Sequence, residues 1–160
     1  MAIRNIRLIG DDILTKRAKE IKEMTPRLKT LIADMLETMH AAEGVGLAAP
    51  QVGVLKRLVV IDVTPEGNNP IILINPEIIK TEGEQTGEEG CLSVPGKTGV
   101  VKRPNYVKVK ALNENMEEFT VEGTELLARA LCHEIDHLNG ILYVDKVIGE
   151  LHSTSEEQEE

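Results

Sequence analysis

His133-Glu134-Ile135-Asp136-His137 sits inside a long aliphatic run late in the chain. Read as a helix, it stacks two imidazoles four residues apart on one face, one turn above the other. That spacing lets both rings grip one metal ion, with the intervening glutamate placed to handle protons for a metal-bound water. Thr124 is the N-cap of this helix and Gly140 its stop signal. Leu126, Ala130, His133 and His137 share one face, while Leu127, Leu131, Ile135 and Leu138 form a second, roughly opposite. A helix apolar on both sides is a buried one, so the rest of the chain must pack around it.

A single buried histidine is usually a satisfied polar group. Two at helical spacing, beside Glu134 and Asp136, are different: burying them all without pairing or metal costs several kcal/mol of desolvation. An open catalytic site needs a third protein ligand and a water. His133-x-x-x-His137-x-x-Gly140 follows the start of the extended metalloprotease pattern, but Tyr143 stands where a third histidine is needed. A downstream glutamate could come only from Glu150 or the tail. Cys132 is adjacent to His133 and so on a different face; it reads as a small buried hydrophobe. Cys91, within Glu88-Glu89-Gly90-Cys91-Leu92-Ser93-Val94-Pro95-Gly96, lies between glycines and a turn and is the best third ligand.

The chain has 160 residues, enough for one domain with a real core. Tyr106, Phe119 and Tyr143 are its only aromatics, so that core is aliphatic. A formal charge of −9 and a pI near 5.0 argue against general affinity for nucleic acid or an anionic membrane. The first ten residues lack the apolar core of a signal peptide, and no run is long enough to span a bilayer. Two cysteines without an export signal place the protein in the cytoplasm, with free thiols. The expected division is a catalytic domain over residues 1–150 and an acidic, disordered tail over 151–160.

Ile3 to Ile21 looks locally folded but carries no recognisable chemistry. Thr25-Pro26 reads as a helix start, followed by an apolar stripe through Leu28, Leu31, Ile32, Met35, Leu36 and Met39. The small-residue stretch from Gly44 to Gly53 reads as a tight loop, with Gln51 its only polar side chain. Leu55–Val63 and Ile71–Lys80 read as strands, and Tyr106–Leu112 pairs across Asn113-Glu114-Asn115 with Glu118–Glu122 in a hairpin. Strands without βαβ alternation indicate an α+β domain: antiparallel strands around a buried C-terminal helix carrying HExxH, preceded by an N-terminal amphipathic helix.

Taken together, Gly44 to Gln51, Glu89-Gly90-Cys91-Leu92-Ser93 and His133 to His137 resemble the three signature motifs of peptide deformylase, in the family's order. Less strict similarity runs from Ile6-Arg7-Leu8-Ile9-Gly10-Asp11 to Leu142-Tyr143-Val144-Asp145. Three positions depart from the family's habit. Cys132 stands where glutamine is common, Asp12 where proline often follows aspartate, and Glu125 where glycine is frequent.

The resemblance implies a metallohydrolase that removes the N-formyl group from the methionine of newly made bacterial polypeptides. It assigns Cys91, His133 and His137 as metal ligands and Glu134 as the acid/base group. Gln51 and the Leu92 backbone N–H become oxyanion donors, with Gly46 leaving room for substrate. Val45, Leu126 and Ala130 are expected to line the methionine pocket. The resemblance implies Fe2+ in vivo, with Zn2+, Ni2+ or Co2+ in purified protein; ligand chemistry alone suits all four. N-formylmethionyl nascent chains, and the ribosome that carries them, are the expected partners. Asp136 orients a ligand, pairs with Arg103, or is merely a helix carboxylate; Glu88 reads as a solvated charge and Glu89 as structural. Two rivals share part of the pattern. A zinc endopeptidase would cut internal bonds and not need Cys91. A closed structural site of Cys91, Cys132, His133 and His137 would hold no water.

Overall fold

Strand β2 (Leu58–Ile61) shows how the layers are built. Its side chains alternate between two faces, yet all four residues are buried, because both faces of its sheet are covered. Leu58 and Val60 pack in one cluster with Leu28, Leu31, Ile32, Met35 and Met39 of helix α1 (Pro26–Ala41). Val59 and Ile61 pack in another with Ala128, Leu131, Ile135 and Leu138 of helix α2 (Glu125–Leu138). The computed structural model describes residues 2–153.

The sheet between the helices is antiparallel, in the order β1 (Gly46–Ala48), β2, β3 (Ile71–Glu82), β6 (Tyr106–Leu112) and β7 (Glu118–Thr124). A second antiparallel sheet orders β4 (Gln85–Cys91), β5 (Val94–Arg103) and β8 (Val147–Ser153). The result is the α+β domain expected, with α2 buried at its centre. No helix among the described residues is long and apolar enough to cross a membrane.

Local chemistry sets the helix ends. Thr25 Oγ1 accepts the Leu28 N–H at 3.1 Å, and Pro26 occupies the first turn of α1. Strand β7 turns directly into α2 through Glu125, whose φ of 53° is left-handed. Such a backbone suits glycine and costs other residues about 1–2 kcal/mol. Gly140, at φ 75°, ends the helix region as expected.

Several expectations need correction. The Gly44–Gly53 loop contains strand β1 and a 3₁₀ turn over Ala49–Val52. Strand β2 is shorter than Leu55–Val63 because the Leu55 carbonyl and Arg57 N–H bond instead to Lys19, at 3.0 and 2.8 Å. Strands β4, β5 and β8 were not legible. Along β4, Thr86 and Glu88 face solvent while Gly87 and buried Glu89 face inward, so no apolar alternation marks the strand. Leu151, His152 and Ser153, expected in the tail, complete β8, with His152 opposite Thr98 and Ser153 opposite Lys97. The rest of that expectation, over residues 154–160, lies outside the described residues.

The N-terminal segment carries no catalytic group but fastens two loops that the site uses. Ala2 N–H and Arg4 N–H bond to Asp34 and Thr38 of α1 at 2.8 and 2.9 Å. Further on, Arg7 N–H reaches the Gln51 carbonyl at 2.6 Å and Ile9 N–H the Ser93 carbonyl at 2.8 Å.

Candidate active site

Cys91 ends β4, where the Leu92-Ser93 turn reverses the chain into β5. This brings its thiol against the two histidines of α2. The ligand atoms of Cys91, His133 and His137 all lie within 4.8 Å of one another, with Sγ 3.4 Å from His137 Nε2. Gln51 Nε2 and the Ser93 N–H approach the same sulfur at 3.5 and 3.4 Å. Cys132 is outside this group, buried among the aliphatic residues beneath α2, and burial pushes its thiol up to about 11.

Glu89 organises the charges behind the site. Its Oε1 accepts from Arg103 Nη2 and lies 2.9 Å from His133 Nδ1; Oε2 accepts from Arg103 Nε and Arg129 Nη1. Burial works to raise its pKa, but these partners, Arg103 foremost, hold it well below the usual carboxylate range. With a carboxylate at Nδ1, a neutral His133 keeps its proton on that nitrogen and leaves Nε2 as the electron-pair donor. Arg103 Nη1 continues the network to Asp136 at 2.7 Å, so the Asp136–Arg103 pair is present.

Glu134 is buried, with Oε2 4.0 Å from His133 Nε2. Its Oε1 has no hydrogen-bond partner among the described residues, and burial raises the carboxyl to about 7. A Cβ at Gly46 would lie 2.5 Å from Oε2, so glycine there permits this packing. Gln51 is fixed by the Ala48 N–H to its Oε1 at 2.9 Å and by its own Nε2 to Ser93 Oγ at 3.0 Å.

These residues border a cavity of about 460 Å³. Leu126, Arg129, Ala130, His133 and Glu134 line it from α2 at helical spacing; Val45, Gly46, Gln51, Cys91 and Leu92 line it from the loops. Glu88 also borders it but is exposed, unlike Glu89.

The donor set fits a divalent transition ion: one thiol and two imidazoles are the usual ligands of zinc-type sites. Electrostatics point the same way. Burial disfavours a charged His133, yet the nearby Glu134, Cys91 and Glu89 outweigh it and raise the ring to about 10. Acidic groups thus converge on a place that calls for positive charge. His137 is shifted oppositely, to about 3, by burial and by the charge on His133.

A family model described as "Polypeptide deformylase" matches residues 3–152. The chain belongs to the polypeptide deformylase family. It is 71% identical to a peptide deformylase of Lachnoclostridium phytofermentans over all of both chains, and 62% identical to one of Agathobacter rectalis over 98% of each. Its fold superposes on the crystal structure of a peptide deformylase from Legionella pneumophila with a TM-score of 0.89, at 49% identity, covering 92% of this chain and 87% of that one. A peptide deformylase from Synechococcus elongatus, solved in complex with actinonin, gives a TM-score of 0.87 at 42% identity, covering 92% and 80%. This deformylase is therefore a metal-dependent hydrolase that removes the formyl group from the N-terminal methionine of new proteins and releases formate.

Two contributors have roles that the sequence motifs do not mark. Glu89, structural on the sequence reading, bonds His133 and the buried Arg103 and Arg129. Arg129 falls three residues after Leu126 and four before His133, on the face that the sequence assigns to the site. A charge on the inner face of a buried helix was the available signal.

Proposed function

We propose that Cys91, His133 and His137 hold the divalent ion and that Glu134 moves the protons of deformylation. The convergence of three ligand atoms beside a buried carboxylate with one unpartnered oxygen carries this assignment. When bound, the ion supplies Lewis acidity that brings the pKa of a water in the open position from about 15.7 to about 7.

The chain's own groups do the rest. Glu134 accepts a proton from the attacking water and returns it to the amine as the formyl C–N bond breaks. Gln51 Nε2 and the Leu92 N–H donate to the oxyanion that develops on the formyl oxygen. Gly46 keeps the approach to Glu134 clear. Val45, Leu126 and Ala130 receive the methionine side chain, in keeping with the apolar part of the cavity wall.

Iron(II) is the ion proposed for the cell, with zinc, nickel or cobalt taken up in purification. The proposed setting is the bacterial cytoplasm, with formylmethionyl chains met at the ribosome. Metal analysis of anaerobically purified protein, with formate release from a formyl-methionyl peptide, tests the ion. Glu134→Gln tests the mechanism: metal and fold are retained while turnover falls by about 10² to 10⁴. An active Glu134→Gln enzyme, or cleavage of internal peptide bonds alone, refutes the assignment.

A further inference from the structure

Arg129 is the one buried cation on the cavity wall that the chemistry above does not use. It leaves α2 one turn before His133 and crosses toward β4 and β5. Its Nη1 donates to Glu89 Oε2 at 2.6 Å and to the carbonyls of Val101 and Gly87 at 3.2 and 3.4 Å. Its Nη2 donates to Gln85 Oε1 at 3.3 Å. Gly87 and Val101 face each other across the β4–β5 ladder, so the guanidinium bridges from the helix to both strands.

Glycine at position 87 makes the room. A Cβ there would lie 3.2 Å from Arg129 Nη2, tighter than a well-packed contact. With four acceptors around it and only 8% of the residue exposed, the side chain is a fixed plug. Leu126 and Ala130 flank it along the helix, and all three line the same cavity.

We propose that Arg129, seated over Gly87, closes the inner wall of the side-chain pocket and sets the length of first residue that the enzyme accepts. This rests on the assignment of the cavity around Leu126 and Ala130 to that side chain. Methionine fits against the plug; a longer side chain meets a guanidinium that cannot move aside without breaking its bonds to Glu89 and the two carbonyls. Glu89 keeps both Arg103 bonds and its contact with His133 when Arg129 is shortened, so the effect falls on selection.

The test compares kcat/KM for formyl-methionyl and formyl-ethionyl peptides, the second being one methylene longer. Their ratio is unaffected by the active fraction of a preparation. Wild type prefers methionine by about tenfold or more, the discrimination one methylene supports in a rigid apolar pocket. Arg129→Ala lowers that ratio at least fivefold, and Arg129→Leu, a shorter plug, gives an intermediate value. An unchanged ratio in both variants overturns the proposal.

Ala130→Met separates this from the assignment beneath it. Filling the pocket lowers the preference for formyl-methionyl over formyl-alanyl peptides about tenfold or more. If Ala130→Met shifts its ratio and the Arg129 variants do not, the role of Arg129 fails alone. If Ala130→Met changes nothing, the cavity does not hold the first side chain, and the proposal falls with that assignment.

Discussion

Replacing Glu89 by glutamine changes one oxygen to an amide nitrogen at the point where helix, hairpin and metal site meet. The carboxylate has four close partners: two nitrogens of Arg103 at 2.9 Å each, Arg129 at 2.6 Å, and His133 Nδ1 at 2.9 Å. Each oxygen takes two of them, so an amide keeps two and turns its NH2 against the other two. If the NH2 faces His133, the imidazole proton moves to Nε2, the nitrogen needed for metal. In either orientation the two buried guanidiniums lose their shared counter-charge, and an NH2 that faces them also opposes their N–H donors. Breaking a buried ion pair from one side costs about 3–5 kcal/mol, a large part of the roughly 5–15 kcal/mol that holds a domain. Disturbing the group that orients a histidine ligand costs about 10- to 100-fold in metal affinity. The pH dependence has a definite sign. Glu89's pKa is depressed on folding, so its contribution is present above the ordinary carboxyl range and lost only as pH falls through the folded value. Wild type therefore exceeds Glu89→Gln across neutral and mildly acid pH. Urea unfolding at pH 7 and chelator competition measure both effects. A loss below about 1 kcal/mol with metal affinity unchanged would refute this account.

Gly46→Ala places a methyl 2.5 Å from Glu134 Oε2; the carboxylate must move, and turnover falls by an amount comparable to Glu134→Gln while the fold persists. Formate release and circular dichroism check it, and wild-type activity would sink it. Gln51→Ala removes one proposed oxyanion donor, for a drop in kcat of about 10² to 10³; a change confined to KM would count against that role. In chelated protein, the Glu134 carboxyl is raised from 4.5 to about 7. The contribution of Glu134 to stability is therefore greatest below the ordinary carboxyl range and declines by about 3 kcal/mol as pH climbs through that window. The stability of wild type relative to Glu134→Gln should fall as pH rises from 4 to 8; parallel curves contradict it. Glu125→Gly relieves a left-handed φ of 53° and should raise stability by about 1 kcal/mol; a thermal midpoint lower than wild type would contradict that.

The chemistry was more legible than the framework that holds it. His133 and His137 announce themselves by spacing, and Cys91 by its motif, since ligand type and helical period are local properties. Thr25, Pro26 and Gly140 mark helix ends for equally local reasons. Strand β4 is different: its inward positions are Gly87 and Glu89, one empty to admit Arg129, the other ionic to receive it. A strand whose inner face is a charge network shows no apolar alternation. Its partner β5 and the closing strand β8 were hidden with it. Glu89 itself could be placed in a motif but not connected, because its partners at 103, 129 and 133 converge only through tertiary packing.

The proposed ligands come from opposite sides of a seam. Cys91 belongs to the hairpin sheet, the two histidines to a helix embedded in the larger sheet, and Cys91 and His137 are 46 residues apart along the chain. An ion held there, as proposed, is a clasp as well as a reagent, joining two layers that Glu89 with its arginines and Gln51 with Ser93 also fasten at this edge. Chelation should then loosen the hairpin before the sheet beneath α2. Amide exchange will quicken first in β4 and β5, around residues 88–95, while the amides of β2 and β3 stay protected.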